Sequence, residues 1–214
     1  MSDDYWNHNV HYHPVVLGAV PDACGEALDI GCGDGLLTRK LAGRARQATG
    51  VDRSAEMIRL ARERGAHAGN VAFVEADFLD DAQGRFPEGK YDFVSAVAVV
   101  HHMDFEAAVT RMARLLAPGG RLAIVGLAGN HTALDWIISG AGVPASRIQA
   151  LRHGGKVDPP GMPVEDARMS WDQVRREARR LLPGCRFRRH LLWRYSIVWE
   201  RREAASAPRP PAGD

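Results

Sequence analysis

From residue 26 to residue 127, short apolar runs alternate with stretches in which apolar residues recur every three or four positions. The first pattern marks strands and the second marks amphipathic helices. Strands are predicted at 26–30, 45–51, 71–75, 91–100 and 121–127. The run from Phe93 to Val100 is apolar except for Ser95, which suits a strand covered on both faces. Leu36, Leu37 and Leu41 mark a helix after the first strand. Met57, Ile58 and Ala61 mark another, with Ser54 as N-cap, Glu56 in the first turn and Gly65 as its stop. A third is predicted at 105–116, and Pro118-Gly119-Gly120 forms a turn before the fifth strand. Strands and helices in strict alternation predict parallel βαβ units, hence an α/β, doubly wound sheet.

Residues 128–167 break this rhythm. Two short helices are predicted there, near 134–139 and 145–151, followed by a stiff Asp158-Pro159-Pro160-Gly161 stretch. Ser170 with Gln173 is a capping-box signature, and Trp171, Val174, Ala178 and Leu181 fall on one face of the helix it opens. Pro183-Gly184 ends that helix, and 185–190 with 193–200 can pair as a C-terminal antiparallel hairpin. The expected whole is one domain over 1–203 around a mostly parallel, seven-stranded sheet. An N-terminal cover segment occupies 1–22 and an insertion or lid occupies 128–167. The Ala- and Pro-rich tail, 204–214, is expected to be disordered.

Composition narrows the classes. The 214 residues are 45% hydrophobic and 25% charged, the balance of one globular domain. No apolar run approaches the ~20 residues of a spanning helix, so no membrane partner is expected. The first nine residues are polar and do not read as a secretory signal. Cys24, Cys32 and Cys185 are too few for a disulfide framework and fit a reducing, cytoplasmic setting. A net charge of +2 argues against a nucleic-acid partner. The arginines crowding 175–189 are either a solvated face or a docking stripe. Oligomeric state leaves no mark.

In an open α/β sheet, ligands bind beyond the carboxyl ends of the strands. Asp29-Ile30-Gly31-Cys32-Gly33-Asp34-Gly35 lies at the first such end. Glycines there let a ligand approach the backbone, and the following helix can turn its first amides to a carboxylate. A nicotinamide dinucleotide fingerprint would need Gly-x-Gly-x-x-Gly, and Leu36 occupies the place of the third glycine. Asp52, ending the second strand, can accept from both hydroxyls of a ribose. Asp77 beside Phe78, after the third, can accept from an adenine amino group and cover its ring. Together they describe one adenosine-bearing cofactor; singly, each acid would be an ordinary loop or cap residue.

Those segments carry a resemblance. Ala27 to Gly35 resembles the first motif of class I S-adenosylmethionine-dependent methyltransferases. Gly50-Val51-Asp52-Arg53-Ser54 resembles their ribose loop, Val74-Glu75-Ala76-Asp77-Phe78 their adenine segment, and 115–122 their motif before the fifth strand. The resemblance covers 26–127 and implies a Rossmann-like methyltransferase fold with S-adenosyl-L-methionine as cofactor. It implies a cofactor set of Tyr12, Asp29, Gly31, Cys32, Gly33, Gly35, Asp52, Arg53, Met57, Asp77, Phe78 and Val97. Asp29, Gly31 and Gly33 would line the methionine part, Asp52 the ribose, and Asp77 with Phe78 the adenine. Arg53 departs from the family, which often has an apolar residue there; its aliphatic stem can play that part. Met57 is either a wall of the pocket or core.

The family's chemistry displaces an activated methyl, so the protein mainly supplies alignment. His101 and His102, after the fourth strand, are the candidate catalytic residues, as base or as acceptor-positioning groups. The alternative is that His102 caps the next helix and His101 makes a structural hydrogen bond. In similar enzymes the N-terminal segment covers the site. Tyr12 and His13 are then expected at the methionine end, and Trp6 and His8 at the acceptor, unless this segment is purely structural. His11 and His13 flank one residue, but no acid or cysteine is placed to complete a metal site, and no metal is expected. His131 and Trp136 in the insertion are further acceptor candidates. The segment Ala98-Val99-Val100-His101-His102-Met103 lacks the Asn/Asp-Pro-Pro-aromatic motif of nucleobase amine methylation. The reading is therefore methyl transfer to a small organic acceptor, with the methylated atom open. One alternative is an RNA or protein methyltransferase that docks through the C-terminal arginines. The other is a non-catalytic nucleoside-binding module.

Overall fold

Strands β1 (Cys24–Ile30), β2 (Ala45–Asp52), β3 (Val71–Glu75), β4 (Tyr91–Val97), β5 (Leu116–Gly126), β6 (Arg186–Arg189) and β7 (Tyr195–Glu200) form one sheet. Their order is β3-β2-β1-β4-β5-β7-β6. These coordinates are a computed structural model that describes residues 5–157 and 168–202. The Asp158–Gly161 stretch and the 204–214 tail lie outside the described residues. So do the side chains at 133, 134, 136–139, 141 and 145.

The first five strands run parallel, and β7 and β6 close the edge antiparallel. The chain moves outward from β1 through β2 to β3, then returns to the other side of β1 as β4. That reversal opens a crevice at the carboxyl ends of β1 and β4, the usual ligand position in such sheets.

Two apolar layers cover the sheet. Helices α4 (Phe105–Leu115) and α6 (Trp171–Leu181) contribute Val109, Met112, Val174 and Ala178 to one layer, with Leu28, Val94 and Ile124 beneath them. Helices α1 (His13–Leu17) and α2 (Leu36–Ala42) contribute Val16, Leu37 and Leu41 to the other, over Ala27, Phe93 and Ala123. Phe93 and Val94 thus enter opposite layers, which explains the near-continuous apolar run of β4. Helix α3 (Ala55–Gly65) is capped by Ser54, whose Oγ accepts from the Met57 amide. The Ser170/Gln173 capping box forms at α6.

Three elements differ from expectation by three residues or more. Strand β4 stops at Val97 because Ala98 takes φ +53°, left-handed backbone that a strand cannot continue through. Strand β5 begins at Leu116, because Pro118-Gly119-Gly120 is a bulge within the strand. Gly119 donates to the Arg201 carbonyl and Arg201 donates back to Gly120, so pairing resumes across it. The two helices predicted within 134–151 are one helix, α5 (Ala133–Arg152), with Pro144 inside it. A helical proline presses on the carbonyl four residues back. Here that residue is Gly140, and the helix continues through it. No helix among the described residues is long and apolar enough to cross a membrane.

Candidate active site

The crevice beyond β1 and β4 holds two cavities that share Gly31, Gly33, Met57 and Val97. The larger, about 350 Å³, extends over the ends of β2 and β3 to Asp52, Arg53, Asp77 and Phe78. That volume is within the range of small-molecule sites. The smaller, about 70 Å³, lies over Asp29, Cys32 and Asp34 and under the N-terminal segment. The glycine turn makes this room. Gly33 has φ +53°, and a Cβ there would meet no protein atom within 4 Å. Its amide donates to Asp52 Oδ2 at 2.9 Å, while Asp52 Oδ1 accepts from the Ser54 amide at 2.9 Å. Each carboxylate oxygen has a second lone pair, so the group can still accept from a ligand. Asp77 is exposed; its Oδ1 takes the Leu79 amide at 2.8 Å and forms the turn that carries Phe78 into the cavity wall. Arg111 lies 5.5 Å from the Phe78 ring and donates to its carbonyl. A left-handed alanine, Ala98, lines the larger cavity beside Val97 and Val99.

The turn is acidic. Burial raises the Cys32 thiol well above its ordinary range, and Asp29, Asp52 and Asp34 add to the effect. A cationic ligand is therefore favoured, and a reactive thiolate is not. Asp34 is buried and paired with Arg64 of α3, and its Oδ1 accepts from Tyr5 at 3.2 Å. It also accepts from the Leu36 amide at 3.3 Å. The first amide of α2, expected to face a ligand carboxylate, is thus already engaged.

Asp29 is wholly buried, accepting from Thr38 Oγ1 and Ser95 Oγ, both at 2.8 Å. Burial pushes its pKa from 3.8 up to about 6; the two hydroxyls pull it down and Asp52 pushes it up. Between those values the folded chain binds more protons than the unfolded one, so stability falls as pH rises across that window. Above about pH 6 the full penalty applies. Asp29→Asn is therefore expected to stabilise the ligand-free protein at pH 7 by about 1–2 kcal/mol, or roughly 4 °C, an allowance made for one hydroxyl having to turn round. Melting curves at pH 7 and pH 4 check this. The gain should vanish at pH 4, and a loss at pH 7 contradicts the assignment.

A third cavity, about 480 Å³, adjoins the larger one through His102, Met103 and Asp104. It is lined by His101, Phe105, Met169, Val174 and Tyr195, with Arg168, Glu106 and Glu177 at polar positions. His101 and His102 lie in the short turn Val100–His102, their rings 3.9 Å apart. His102 borders both cavities, whereas His101 borders only the third. The helix cap considered for His102 belongs to Asp104, whose Oδ1 accepts from the Ala107 amide at 2.8 Å.

Several expected residues lie elsewhere. Gly35 lines neither cofactor cavity; its Cα faces the Phe73 ring, where a Cβ would come within 2.6 Å. Tyr12 donates to the Leu191 carbonyl and packs against His11 and His190, away from the cavities. Trp6 is buried and stacks on His153 at 5.5 Å, while His8 Nε2 meets Ser146 Oγ at 2.7 Å. Both face α5 rather than an acceptor. Burial and His153 lower the pKa of His11. His131 is exposed, its backbone amide held by Asp135. Trp136 belongs to α5, but its side chain is outside the described residues. Arg180 is tied to Glu106 and Glu177, and Arg189 to Asp135 and the Trp171 ring, so the C-terminal arginine stripe is partly consumed internally.

The pattern along the chain did not single out Tyr5, Asn7, Asn9 and Val10, which form the outer wall of the smaller cavity with His13. Their signal is local. Asn7 Oδ1 accepts from the amides of Asn9 and Val10, a turn that an Asn-x-Asn spacing permits. Arg194 fixes Asn9 Oδ1 through Nε and Nη2, and residue 157 pairs with Trp6 through its backbone.

Comparisons with known proteins place the chain among methyltransferases. The methyltransferase-domain family matches residues 28–124. An uncharacterized methyltransferase of Mycobacterium tuberculosis is 32% identical over 92% of this chain and 98% of its own length. A ubiquinone biosynthesis O-methyltransferase of Serratia proteamaculans is 36% identical over 44% of this chain and 39% of its own. Among solved structures, a SAM-dependent methyltransferase from Methanosarcina mazei superposes with a TM-score of 0.61 at 19% identity, over 89% of this chain and 98% of that one. A protein from Pyrococcus horikoshii gives 0.63 at 20% identity, over 89% and 88%. Those two likenesses are of fold.

Proposed function

The chain belongs to the class I S-adenosylmethionine-dependent methyltransferases, and on that premise we propose that it methylates a small organic acceptor in the cavity beside His102. The observation that carries this reading is the shared wall of His102, Met103 and Asp104, which line both a cofactor-sized cavity and the third cavity beside it. The open side of Gly33 supports the fit of the cofactor, since that space has no protein atom to fill it. Asp52 would hold the ribose hydroxyls, Asp77 and Phe78 the adenine, and Gly31, Gly33 and Asp29 the amino-acid end. Met57, Arg53, Val97 and Cys32 would complete the walls. The three acids of the turn suit a positively charged ligand. When bound, the cofactor supplies a methyl group already activated on a sulfonium.

The residues of this chain then have two tasks. The walls of the third cavity align the acceptor, with Phe105, Met169, Val174 and Tyr195 excluding water from its apolar part. His102 takes the acceptor's proton at an imidazole nitrogen as the heteroatom becomes a nucleophile. Oxygen is the favoured atom, because the Serratia relative is named as an O-methyltransferase. The test is release of S-adenosylhomocysteine with a panel of phenols, carboxylic acids and amines. Turnover confined to phenols supports the reading; turnover on unmodified RNA alone overturns it. In the same preparation, Asp52→Ala is expected to weaken S-adenosylhomocysteine binding by about 1–2 kcal/mol, because the ribose hydroxyls lose their acceptor and the Gly33 and Ser54 amides that shape the turn lose theirs. Calorimetry that finds an unchanged Kd removes Asp52 from the site.

A further inference from the structure

Helix α5 carries apolar residues all round, and such a helix is normally covered on every side. Among its described side chains, one side is covered. A Cβ on Gly142 would stand 3.2 Å from the Trp193 indole, and Ser146 meets His8. Ala150 packs into the cluster that holds Trp6, and His153, just past the helix, stacks on Trp6. Positions 142, 146, 150 and 153 make one face. The other side turns Ile148 and Leu151 to solvent, 50% and 84% exposed, with Pro144 between them, and Val143, 44% exposed, lies at its flank beside Ala150. Val157, 54% exposed, follows five residues after the helix. Among the described residues only Leu191 is another large apolar side chain so exposed.

The charge on this surface has one sign. Arg147 stands amid the outer apolar side chains and Arg152 at their edge, both exposed. No Asp or Glu occurs from residue 136 to residue 157. We propose that the outer face of α5 docks on an anionic phospholipid bilayer, its apolar side chains entering the acyl boundary and its arginines meeting phosphate headgroups. Apolar side chains flanked by arginine are what an interfacial helix presents. A second copy of the chain fits less well, since a two-fold contact would bring Arg147 toward its own mate among desolvated neighbours. An RNA backbone would leave Leu151 and Ile148 without a partner. The proposal concerns surface contact alone, since no described helix is long and apolar enough to cross a membrane.

Sedimentation of the full chain with vesicles tests the proposal. Phosphatidylglycerol vesicles are expected to pellet it at low salt and to release it as salt rises, and phosphatidylcholine vesicles to bind it far less. Arg147→Gln should weaken binding about five-fold. Leu151→Gln should weaken it about ten-fold or more without lowering the melting temperature, because that side chain is 84% exposed. Failure to pellet with phosphatidylglycerol overturns the proposal, as does a Leu151→Gln variant that binds like the parent. A dimer in size-exclusion chromatography that Leu151→Gln dissolves would instead assign the face to a second copy of the chain.

Discussion

Replacing His102 with glutamine is expected to lower kcat about 100-fold while changing S-adenosylhomocysteine affinity less than about three-fold. The separation follows from position. His102 borders both the cofactor cavity and the third cavity, so its imidazole can reach an acceptor at the methyl-bearing end. The cofactor's main contacts are proposed on β1, β2 and β3 and remain in the variant. His101→Gln is the control, because His101 borders only the third cavity and should act mainly through KM. A His102→Gln enzyme with parental kcat removes the base from the mechanism.

Most of the sheet was legible because periodicity and burial agree there. The near-continuous apolar run of β4 reports a strand buried on both faces, and the Ser54 and Ser170 caps announced α3 and α6 to the residue. What escaped depends on backbone conformation. Nothing in the letters around Ala98 signals a φ of +53°, so β4 was drawn three residues too long. Pro118-Gly119-Gly120 carries turn chemistry, yet the neighbouring strands bridge it and keep it in β5. Pro144 reads as a helix breaker, yet α5 runs through it unbroken. In the site, strand ends were predictable and loops were not. Asp52, Phe78 and Gly33 follow from sheet topology. Tyr12 and Trp6 were expected at the ligand because the N-terminal segment covers the site in similar enzymes, whereas here these aromatics pack against one another and α5. The cap at Asp104 was in plain view; two adjacent histidines drew attention from it.

The glycine turn allows folding and binding to be separated by two alanines placed two residues apart. Gly35→Ala is expected to cost about 3 kcal/mol of stability, a fall of roughly 9 °C in Tm, and to leave cofactor affinity intact in the molecules that fold. Its φ of +75° penalises any side chain by about 1–2 kcal/mol. The new carbon would also lie 2.6 Å from the Phe73 ring and 3.0 Å from the Ala61 methyl, so α3 and β3 must separate. Gly33→Ala carries the backbone term alone, because its Cβ would meet nothing within 4 Å. Its Tm should fall by only about 4 °C. That carbon, however, occupies the space proposed for the cofactor, and S-adenosylhomocysteine affinity should fall about 100-fold or more, close to 3 kcal/mol. Differential scanning calorimetry and titration calorimetry on both variants give the four numbers. If Gly33→Ala binds as tightly as the parent, the open side of the turn faces solvent and the cofactor lies elsewhere. If Gly35→Ala is the variant that loses binding, the packing role of Gly35 against Phe73 is wrong, and its α-carbon belongs to the ligand.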